Sequence, residues 1–375
     1  MKIAIVHDYL NQLGGAERVL LKLKDLFGDK VPIYTLLGDN DIIKKMKLNN
    51  VKACVSNIKF DHRYILPLFP VLINFINLKK YDLILSDSHA WVKNLKRPKN
   101  SLHICYCYTP IRYAWDLKEI YLKKETKLIR PLVRLFLSWV RWWDYKNTKN
   151  VDYFIAISKN VQDRVKKYYG RNAVIIYPPV DTKFYKPSKD IINENFYLVV
   201  SRLINNKGVD VIIKAFNKLG KKLIIIGTGR EGESFKKIAK DNIKFLGWMS
   251  DKETLKYYQR CQAFIFCGYG EDFGLTPVEA QACGKPVIAF GEGGVLETVI
   301  EGKTGHLFYK PTPEAIINAV EEFEKMRFNA RICRKNALKF DTEIFKRKIK
   351  RFIEEKYKEF KDGKKEASAH GSNKL

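Results

Sequence analysis

Short apolar runs recur along the whole chain and alternate with stretches in which apolar residues fall at helical spacing. This alternation predicts buried parallel strands joined by helices. Before a polar, irregular stretch at 183–195, the predicted strand segments, some with the loop that follows, are 2–6, 31–37, 51–56, 81–89, 101–116, 151–158 and 173–181. After it the pattern restarts, with strand segments at 195–202, 222–231, 243–251, 263–266, 286–290 and 302–308 and helices at 211–219, 313–326 and 342–360.

The restart predicts an α/β protein of two doubly wound, Rossmann-like domains. We expect the first domain to span residues 1–182 and the second to span 183–340. A charged helix at 341–362 could pack back on the first domain, whereas the tail at 363–375 has no periodicity and is expected to lie outside the fold. Two such domains facing each other would hold a ligand in the cleft between them.

Two carboxylates mark the second domain as the candidate site. The stretch from Ala263 to Phe290 reads as strand, loop, helix and strand, with Glu271 on the loop and Glu279 in a helix predicted to open at Pro277. Ligands of such units bind at the carboxyl ends of strands, where helix N-termini point. The two carboxylates could therefore accept hydrogen bonds from hydroxyls of one polyhydroxylated ligand.

Residues that could bind a phosphate lie both before and after the linker. Arg202 and Lys207 lie five residues apart on one strand-to-helix loop and could neutralise a diphosphate without metal, although two exposed charges are the alternative. Gly14-Gly15 opens a helix, which suits either backbone approach to a phosphate or an ordinary tight turn. His89 ends a buried strand and could belong to a site or be structural. We expect no metal site, since Asp39-Asn40-Asp41 is typical of a solvated turn.

Residues 118–150 contain an unusual amphipathic stretch. Its apolar positions recur at helical spacing at Leu132, Leu135, Phe136, Trp139, Val140 and Trp143. Arg134 and Arg141 lie on the other side, and tryptophan beside arginine suits a membrane interface, with packing on its own domain as the equal alternative. The candidate acceptor or membrane surface comprises Arg112, Arg134, Trp139, Arg141, Trp142 and Trp143.

The composition points to an anionic partner. The 69 basic and 41 acidic residues give a formal net charge of +28, which suits a membrane surface, nucleic acid or a phosphorylated ligand, or reflects a lysine-rich composition. Seven cysteines without paired Cys-x-x-Cys spacing argue against a zinc site or a disulfide framework and fit a reducing compartment. The first residues begin directly as a strand, without a signal-peptide pattern, and no uncharged run reaches transmembrane length.

Four segments together resemble the retaining glycosyltransferases of family four, which have the GT-B fold of two Rossmann-like domains. They are GGAER at 14–18, SRLINNKG at 201–208, FLG at 245–247 and EDFGLTPVEAQACGKPVIAFGEGG at 271–294. SDSHA, CYCYTPIRYAWD and EDFGLTPVEA are similar to a subgroup that includes mannosyltransferases of surface-polysaccharide and lipid-linked glycan synthesis. Tyr108 departs from that subgroup, which commonly has histidine there, and so does CGYG at 267–270.

The resemblance implies a division of roles. Arg202 and Lys207 would hold the donor diphosphate and stabilise the leaving group. Glu279 would bind the ribose and Glu271 the donor hexose, while His89 would contact the sugar at its reacting end. Further donor contacts are implied for Gly14, Gly15, Phe273, Gly274 and Leu275.

We therefore expect a hexosyltransferase that uses a nucleotide-diphosphate sugar, with GDP-mannose favoured, and a glycan or lipid-linked acceptor, without metal or cofactor. The alternatives are a UDP-hexose-dependent transferase, a GT-B-type nucleotide-sugar epimerase, a phosphorylase, or a basic membrane- or nucleic-acid-binding protein. Nucleic acid is disfavoured because anion binding alone requires no paired carboxylates. An anionic membrane surface is the expected partner, which would place the protein in the cytoplasm at the inner face of the membrane.

Overall fold

The computed structural model describes residues 1–58, 62–124, 126–188 and 194–371. The chain folds as two compact units, the first formed by Met1–Tyr177 with the chain from Phe345 onward, the second by Pro178–Ile344. The division falls after Tyr177, whereas the sequence pattern placed the end of the first domain at 182. Residues 189–193 of the predicted linker lie outside the described part of the chain.

The first unit is built on a parallel sheet. Over the described residues its strands are β1 (Ile3–Leu10), β2 (Ile33–Gly38), β3 (Val51–Ser56), β4 (Leu83–Ser88), β5 (Leu102–Cys107), β6 (Tyr153–Ala156) and β7 (Ala173–Ile175), in the order β3-β2-β1-β4-β5-β6-β7. Its helices are α1 (Gly15–Phe27), α2 (Asn40–Lys45), α3 (Phe69–Leu72), α4 (Lys118–Lys124), α5 (Arg130–Asn147) and α6 (Lys159–Tyr169). The central strands β4 and β5 are buried throughout and β1 is buried from Ala4 onward, which is why each begins with an apolar run.

The second unit repeats this plan. Its described strands are β8 (Tyr197–Val200), β9 (Leu223–Ile226), β10 (Ile243–Gly247), β11 (Ala263–Phe266), β12 (Val287–Phe290) and β13 (Gly305–Phe308), all parallel, in the order β10-β9-β8-β11-β12-β13. Its helices are α7 (Val209–Leu219), α8 (Gly232–Ile238), α9 (Asp251–Arg260), α10 (Leu275–Ala282), α11 (Val295–Thr298), α12 (Pro313–Lys325) and α13 (Ala330–Ala337). The predicted α/β architecture of two Rossmann-like domains is thus confirmed.

Local sequence determines where elements begin and end. The hydroxyl of Ser158 accepts a hydrogen bond from the amide of Val161 at 3.1 Å, which caps α6, and Gly170 ends that helix in a left-handed conformation. The strand predicted at 173–181 stops at Ile175, because the Pro178-Pro179 pair cannot donate hydrogen bonds to a neighbouring strand.

The last helix, α14 (Thr342–Gly371), returns to the first unit from Phe345 onward. The ring of Phe345 packs 5.7 Å from that of Tyr106, and Lys346 pairs with Asp25 at 3.8 Å. The tail from 363, which the sequence predicts to lie outside the fold, continues this helix as far as Gly371, since lysine, glutamate and alanine favour helix there. Residues 372–375 lie outside the described range.

Where the structure describes the chain, none of its helices combines the length and apolar character needed to cross a membrane.

Candidate functional site

The sheet of the second unit changes direction between β8 and β11. From β8 the order runs outward through β9 and β10 on one side, and from β11 through β12 and β13 on the other. Ligands of open α/β sheets bind outside the carboxyl ends of strands at such a switch point. The loops that leave β8 and β11 carry three of the predicted site residues, Arg202, Lys207 and Glu271.

A direct ion pair joins these two loops. Nζ of Lys207 lies 2.6 Å from Oε2 of Glu271. The two side chains are 16 % and 22 % exposed, so the pair lies at the edge of the solvent and not in the core. Sequence reasoning assigned the lysine to the diphosphate and the glutamate to the hexose, and the structure brings the two groups into contact.

Backbone contacts hold the two loops together. The loop after β8 contains the 3₁₀ turn Asn205–Lys207, and Gly208 follows it with φ +62°. A Cβ at Gly208 would lie 2.4 Å from the carbonyl oxygen of Cys267, so only glycine allows this approach. The amide of Tyr269 also donates to the carbonyl of Asn206 at 3.0 Å.

The loop after β12 supports the carboxylate side of the pair. Its Glu292 accepts a hydrogen bond from the amide of Gly270 at 2.8 Å, and the amide of Gly294 donates to the carbonyl of Glu271 at 2.9 Å. A Cβ at Gly294 would lie 2.4 Å from Cα of Phe273. The GEGG segment therefore has a structural part in the site, and sequence reasoning gave Glu292 no such role.

Helix α10 begins earlier than the position of Pro277 predicts. Gly274, at φ +86°, forms its N-cap, so that the helix starts at Leu275. Phe273 is buried, and its ring lies 5.3 Å from that of Phe340. The first amides of a helix lack intrahelical acceptors and carry the positive end of its dipole, which makes this terminus suitable for an anion or a hydroxyl.

Glu279 lies deeper than Glu271. It is 4 % exposed, and its Oε2 accepts a hydrogen bond from the hydroxyl of Tyr258 on α9 at 2.9 Å. Tyr258 is not among the site residues predicted from the sequence. No local pattern indicates the contact, because it joins two helices through residues 21 positions apart.

Arg202 shares its loop with Lys207 and is exposed. The loop is tied to the one after β9, since the amide of Leu203 donates to the carbonyl of Thr228 at 2.9 Å. A Cβ at Gly229 would lie 2.3 Å from the carbonyl oxygen of Leu203, so the close approach again requires glycine. The segment bearing Arg202 is thus held on both sides by neighbouring loops.

The corresponding switch point of the first unit lies between β1 and β4. There Nδ1 of His7 lies 2.9 Å from Oδ2 of Asp87, and Nε2 of His7 lies 3.9 Å from Oε1 of Glu17. All three side chains are buried. Burial alone would lower the pKa of His7, but hydrogen bonding and the charges of Asp87 and Glu17 raise it to about 10. His7 is therefore a buried cation at neutral pH.

Glu17 connects this buried group to the Gly14-Gly15 turn. Its Oε2 accepts a hydrogen bond from the amide of Gly14 at 2.8 Å, which satisfies a backbone donor at the start of α1. A Cβ at Gly14 would lie 2.8 Å from that same oxygen. Local packing against Glu17 therefore explains why position 14 is glycine. The contact of Gly14 with phosphates stays a prediction.

Asp8 organises the segment that carries His89. Its carboxylate accepts five hydrogen bonds, from the Ser88 hydroxyl at 3.0 Å and from the amides of His89, Ala90, Trp91 and Val92 at 2.7 to 2.8 Å. Burial opposes ionisation, but the charges of His89 and Lys93 and the amide of Val92 bring the pKa of Asp8 below its ordinary value. Nδ1 of His89 lies 3.5 Å from Oδ2 of Asp8, and the His89 side chain is 30 % exposed.

Tyr108, which departs from the subgroup pattern, is buried beside the same cluster. Its hydroxyl donates to the carbonyl of Ala16 at 3.2 Å, at the start of α1. Burial and the charge of Asp87 raise the pKa of Tyr108 well above its ordinary value, so the phenol stays neutral.

Helix α5 carries two apolar stripes. The inner stripe packs on the first unit, where the ring of Trp143 lies 5.6 Å from that of Trp91 and Val140 is buried. The outward stripe, on α5 and the turn before it, is exposed and consists of Leu128, Leu132, Leu135, Trp139 and Trp142. Trp139 and Trp143 are four residues apart and lie on adjacent parts of one apolar arc, of which the part with Trp139 is exposed and the part with Trp143 packs inward.

The predicted arginines differ in their surroundings. Arg134 lies beside the outward stripe, with Nη2 3.8 Å from Glu119. The guanidinium of Arg141 lies 4.5 Å from the ring centre of Trp115. Nε of Arg112 lies 3.4 Å from Asp116, so this arginine pairs within its own loop and is not part of the surface of α5.

Among the residues that the structure describes, no group of three or more histidine, cysteine, aspartate or glutamate side chains is arranged to hold a metal ion. Asp39, in the Asp-Asn-Asp sequence, accepts hydrogen bonds from the amides of Asp41 and Ile42 and thereby caps α2.

Comparisons with known proteins agree with this architecture. The chain is 25 % identical to alpha-1,3/1,6-mannosyltransferase ALG2 of Dictyostelium discoideum over 85 % of this chain and 88 % of that protein. It is 32 % identical to an uncharacterized glycosyltransferase of Methanocaldococcus jannaschii, over 47 % of this chain and only 50 % of that relative's length. The crystal structure of Anabaena HepE in complex with UDP-glucose superposes with a TM-score of 0.71 at 18 % identity, covering 94 % of this chain and 99 % of that one.

Two family models match successive parts of the sequence. The model described as Glycosyltransferase Family 4 matches residues 13–184, and the one described as Glycosyl transferases group 1 matches residues 181–340. Together they run through the Gly14-Gly15 turn, both ion-pair loops and α10. The predicted resemblance is confirmed: the chain belongs to the family-four glycosyltransferases of the GT-B fold.

Proposed function

We propose that this protein transfers a hexose, with mannose from GDP-mannose favoured, to a glycan or lipid-linked acceptor with retention of anomeric configuration. The observation that supports this most is the Lys207–Glu271 ion pair at the β8/β11 switch point, followed by Glu279 on α10. One cation and two carboxylates are groups that suit the phosphate and the two sets of hydroxyls of a nucleotide sugar. The sequence similarity to a mannosyltransferase over most of both chains favours mannose.

The departure of the diphosphate explains why two cationic side chains, Lys207 and Arg202, are needed at the site. When the bond between the anomeric carbon and the diphosphate oxygen breaks, its electron pair leaves with the diphosphate. Lys207 and Arg202 would stabilise that developing charge, and cations already in position lower the barrier most. Lys207 would then exchange Glu271 for a phosphate oxygen, which its partial exposure allows.

Glu271 would position the hexose and not attack it. The acceptor hydroxyl forms the new bond on the face that the diphosphate leaves, and its proton passes to the departing phosphate oxygen. Before the donor binds, Lys207 holds this carboxylate at 2.6 Å and so orients it as a hydrogen-bond acceptor for a sugar hydroxyl. The amides of Phe273, Gly274 and Leu275 belong to this hexose subsite in our proposal. His89 would contact the sugar, and Gly14 and Gly15 the phosphates.

A donor screen tests the proposal. Purified protein is incubated with GDP-mannose, GDP-glucose, UDP-glucose, UDP-galactose and UDP-N-acetylglucosamine, with and without a membrane-lipid extract as acceptor, and released nucleotide is measured. We expect acceptor-dependent release of GDP from GDP-mannose. Release from UDP-hexoses alone would select the alternative donor, and conversion of the nucleotide sugar to its epimer without acceptor and without release of nucleotide would favour an epimerase. Thermal stabilisation by duplex DNA but by no nucleotide would overturn the proposal.

We extend the proposal to peripheral binding at an anionic membrane, where a lipid-linked acceptor would be found. The outward stripe is exposed, basic residues such as Lys127 and Arg134 lie beside it, and the net charge of the chain is +28. Apolar burial and attraction to anionic lipid act together at such a helix. The proposal thereby locates the protein at the inner face of the membrane.

Vesicle co-sedimentation tests the membrane surface. Vesicles of phosphatidylglycerol and phosphatidylcholine should retain the wild-type protein, and the Leu135→Glu/Trp139→Glu variant should remain in the supernatant. Phe75→Glu is the matched control, since Phe75 is an exposed apolar residue of the same unit that lies on a different element from α5. Equal binding of all three proteins would exclude the outward stripe as the binding surface.

A further inference from the structure

The second unit contains a buried contact that the proposed function does not use. Tyr258 on α9 is fully buried, and its hydroxyl donates to Oε2 of Glu279 at 2.9 Å. Glu279 is itself almost buried, at 4 % exposure. A buried carboxyl group is costly unless it is hydrogen-bonded, so the phenol of Tyr258 stabilises the buried Glu279 side chain by donating to one defined oxygen.

Packing fixes the position of the phenol. The ring of Tyr258 lies edge-on to that of Tyr185, with centroids 5.8 Å apart, and 5.6 Å from the ring of Phe264 on β11. The start of α9 is fixed by a capping box between Ser250 and Glu253. Because aromatic neighbours and a capped helix hold the ring of Tyr258, its hydroxyl contacts the carboxylate of Glu279 without the help of a ligand.

Such a contact restricts the rotation of the carboxylate. A glutamate side chain has three rotatable bonds, and its last torsion is broad, so an unrestrained carboxylate samples many orientations. The hydrogen bond from the Tyr258 hydroxyl to Oε2 narrows the range of orientations of the Glu279 carboxylate. A pair of ribose hydroxyls needs acceptor lone pairs in one geometry, and an acceptor already in that geometry binds them at a smaller entropic cost.

We propose that Tyr258 is a positioning residue that orients Glu279 toward the ribose of the donor, and so makes the protein select ribonucleotides over 2′-deoxyribonucleotides. This inference rests on the proposed function, because it takes the ribose as the ligand of Glu279. It adds a residue from α9 that touches neither the phosphates nor the reacting carbon. Its effect should therefore appear in donor affinity and not in the chemical step.

The experiment compares Tyr258→Phe with the wild type by calorimetric titration with GDP and with 2′-deoxy-GDP, or with the uridine pair if the donor screen selects UDP. Wild type should bind GDP about tenfold more tightly than its deoxy analogue, as expected for one hydrogen bond to a charged group. In Tyr258→Phe, GDP affinity should fall about fivefold and deoxy-GDP affinity much less, so that the ratio narrows. The donor KM should rise while kcat is unchanged.

Tyr257→Phe is the matched control. Tyr257 is the neighbouring residue on α9, is half-buried and packs on Phe196 at 6.2 Å, so this variant loses the same atom without touching Glu279. The ratio of GDP affinity to 2′-deoxy-GDP affinity of Tyr257→Phe should equal that of the wild type. An equal loss of affinity for both nucleotides in Tyr258→Phe would indicate a merely structural role and overturn the inference.

Two further outcomes separate this inference from the proposed function. If Glu279→Gln leaves the ratio unchanged, Glu279 is not the ribose carboxylate and that part of the proposed function fails. If Glu279→Gln narrows the ratio and a folded Tyr258→Phe does not, only the role of Tyr258 fails. Wild-type protein that binds the two nucleotides equally would overturn the inference even if Tyr258→Phe does not fold.

Discussion

The two switch points occupy the same place in their sheets but differ in how their charges are satisfied. In the first unit, His7, Asp8 and Asp87 are fully buried and bond to one another or to backbone amides. In the second unit, Lys207 and Glu271 form a pair at the edge of the solvent. The first arrangement fixes the shape of the loops, whereas the second can exchange its partner for a ligand.

The physical reason is the cost of an unpaired charge. A buried charge that loses its partner is strongly destabilising, because water cannot replace it. A partly exposed pair contributes little net free energy, since water competes with each partner. The comparison therefore predicts that substitutions of the buried charges at the first switch point act mainly on stability, and that those of the ion pair at the second switch point act mainly on activity.

Asp8→Ala should have the largest effect on stability. It leaves four backbone amides and the Ser88 hydroxyl without their acceptor, and we expect a loss of about 3–5 kcal/mol in the free energy of unfolding. Urea denaturation followed by circular dichroism measures it. Asp39→Ala is the control, since Asp39 caps an exposed helix and its loss should cost only about 1 kcal/mol. Equal losses in the two variants would contradict the contrast.

Lys207→Met should have the largest effect on activity. Removing one preorganised charge from a leaving group typically lowers kcat by about 10²–10³-fold, and the same change should alter stability by only about 1 kcal/mol. Nucleotide release under saturating donor measures the first quantity, and urea denaturation the second. Full turnover in a folded Lys207→Met protein would remove the lysine from the leaving-group role.

His7→Gln should change how stability depends on pH. The pKa of His7 is raised to about 10 in the folded protein, against 6.5 for an ordinary histidine. Its stabilisation is complete below pH 6.5 and is lost as pH rises toward 10, with a slope of at most about 1.4 kcal/mol per pH unit. Unfolding free energies measured from pH 6 to 10 should fall more steeply for wild type than for the variant.

His103→Gln supplies the opposite control. His103 bonds to the Ser86 hydroxyl and to the carbonyl of Asn150, both at 2.8 Å, and burial lowers its pKa to about 4. Protonation of His103 therefore lowers the free energy of unfolding as pH falls from 6.5 toward 4. The substitution should leave the dependence of that free energy on pH above 6.5 unchanged. A flattened alkaline limb in this variant would show that His7 is not the group responsible.

Glu271→Gln should have the smallest effect on stability. The amide retains the shape and one oxygen, and the pair it replaces is partly exposed, so the free energy of unfolding should change by less than about 1 kcal/mol. Donor KM should nevertheless rise, because an amide is a weaker acceptor for sugar hydroxyls than a carboxylate. A loss of stability as large as that of Asp8→Ala would remove the distinction between the two units.

Much of the site could be predicted from the sequence because it lies in local patterns. Glycines at loop positions, the apolar run before each loop and the spacing from Glu271 to Glu279 each mark a strand-to-helix connection. The partners of these residues could not be predicted in the same way. Tyr258 reaches Glu279 from another helix, and Glu292 supports Gly270 from the loop of a neighbouring strand. Such contacts depend on strand order and register, which periodicity does not encode.

The sequence by itself determined the order and type of most elements, the two-domain plan and the family, because helix and strand periods, caps and short motifs are local properties. Only the tertiary structure decided that Lys207 meets Glu271, that Asp8 holds the backbone around His89, and that α5 presents one apolar stripe inward and another outward. Those outcomes join residues up to 84 positions apart. They follow from which strands lie side by side, and a hydrogen bond or a buried face exists only once that packing is complete.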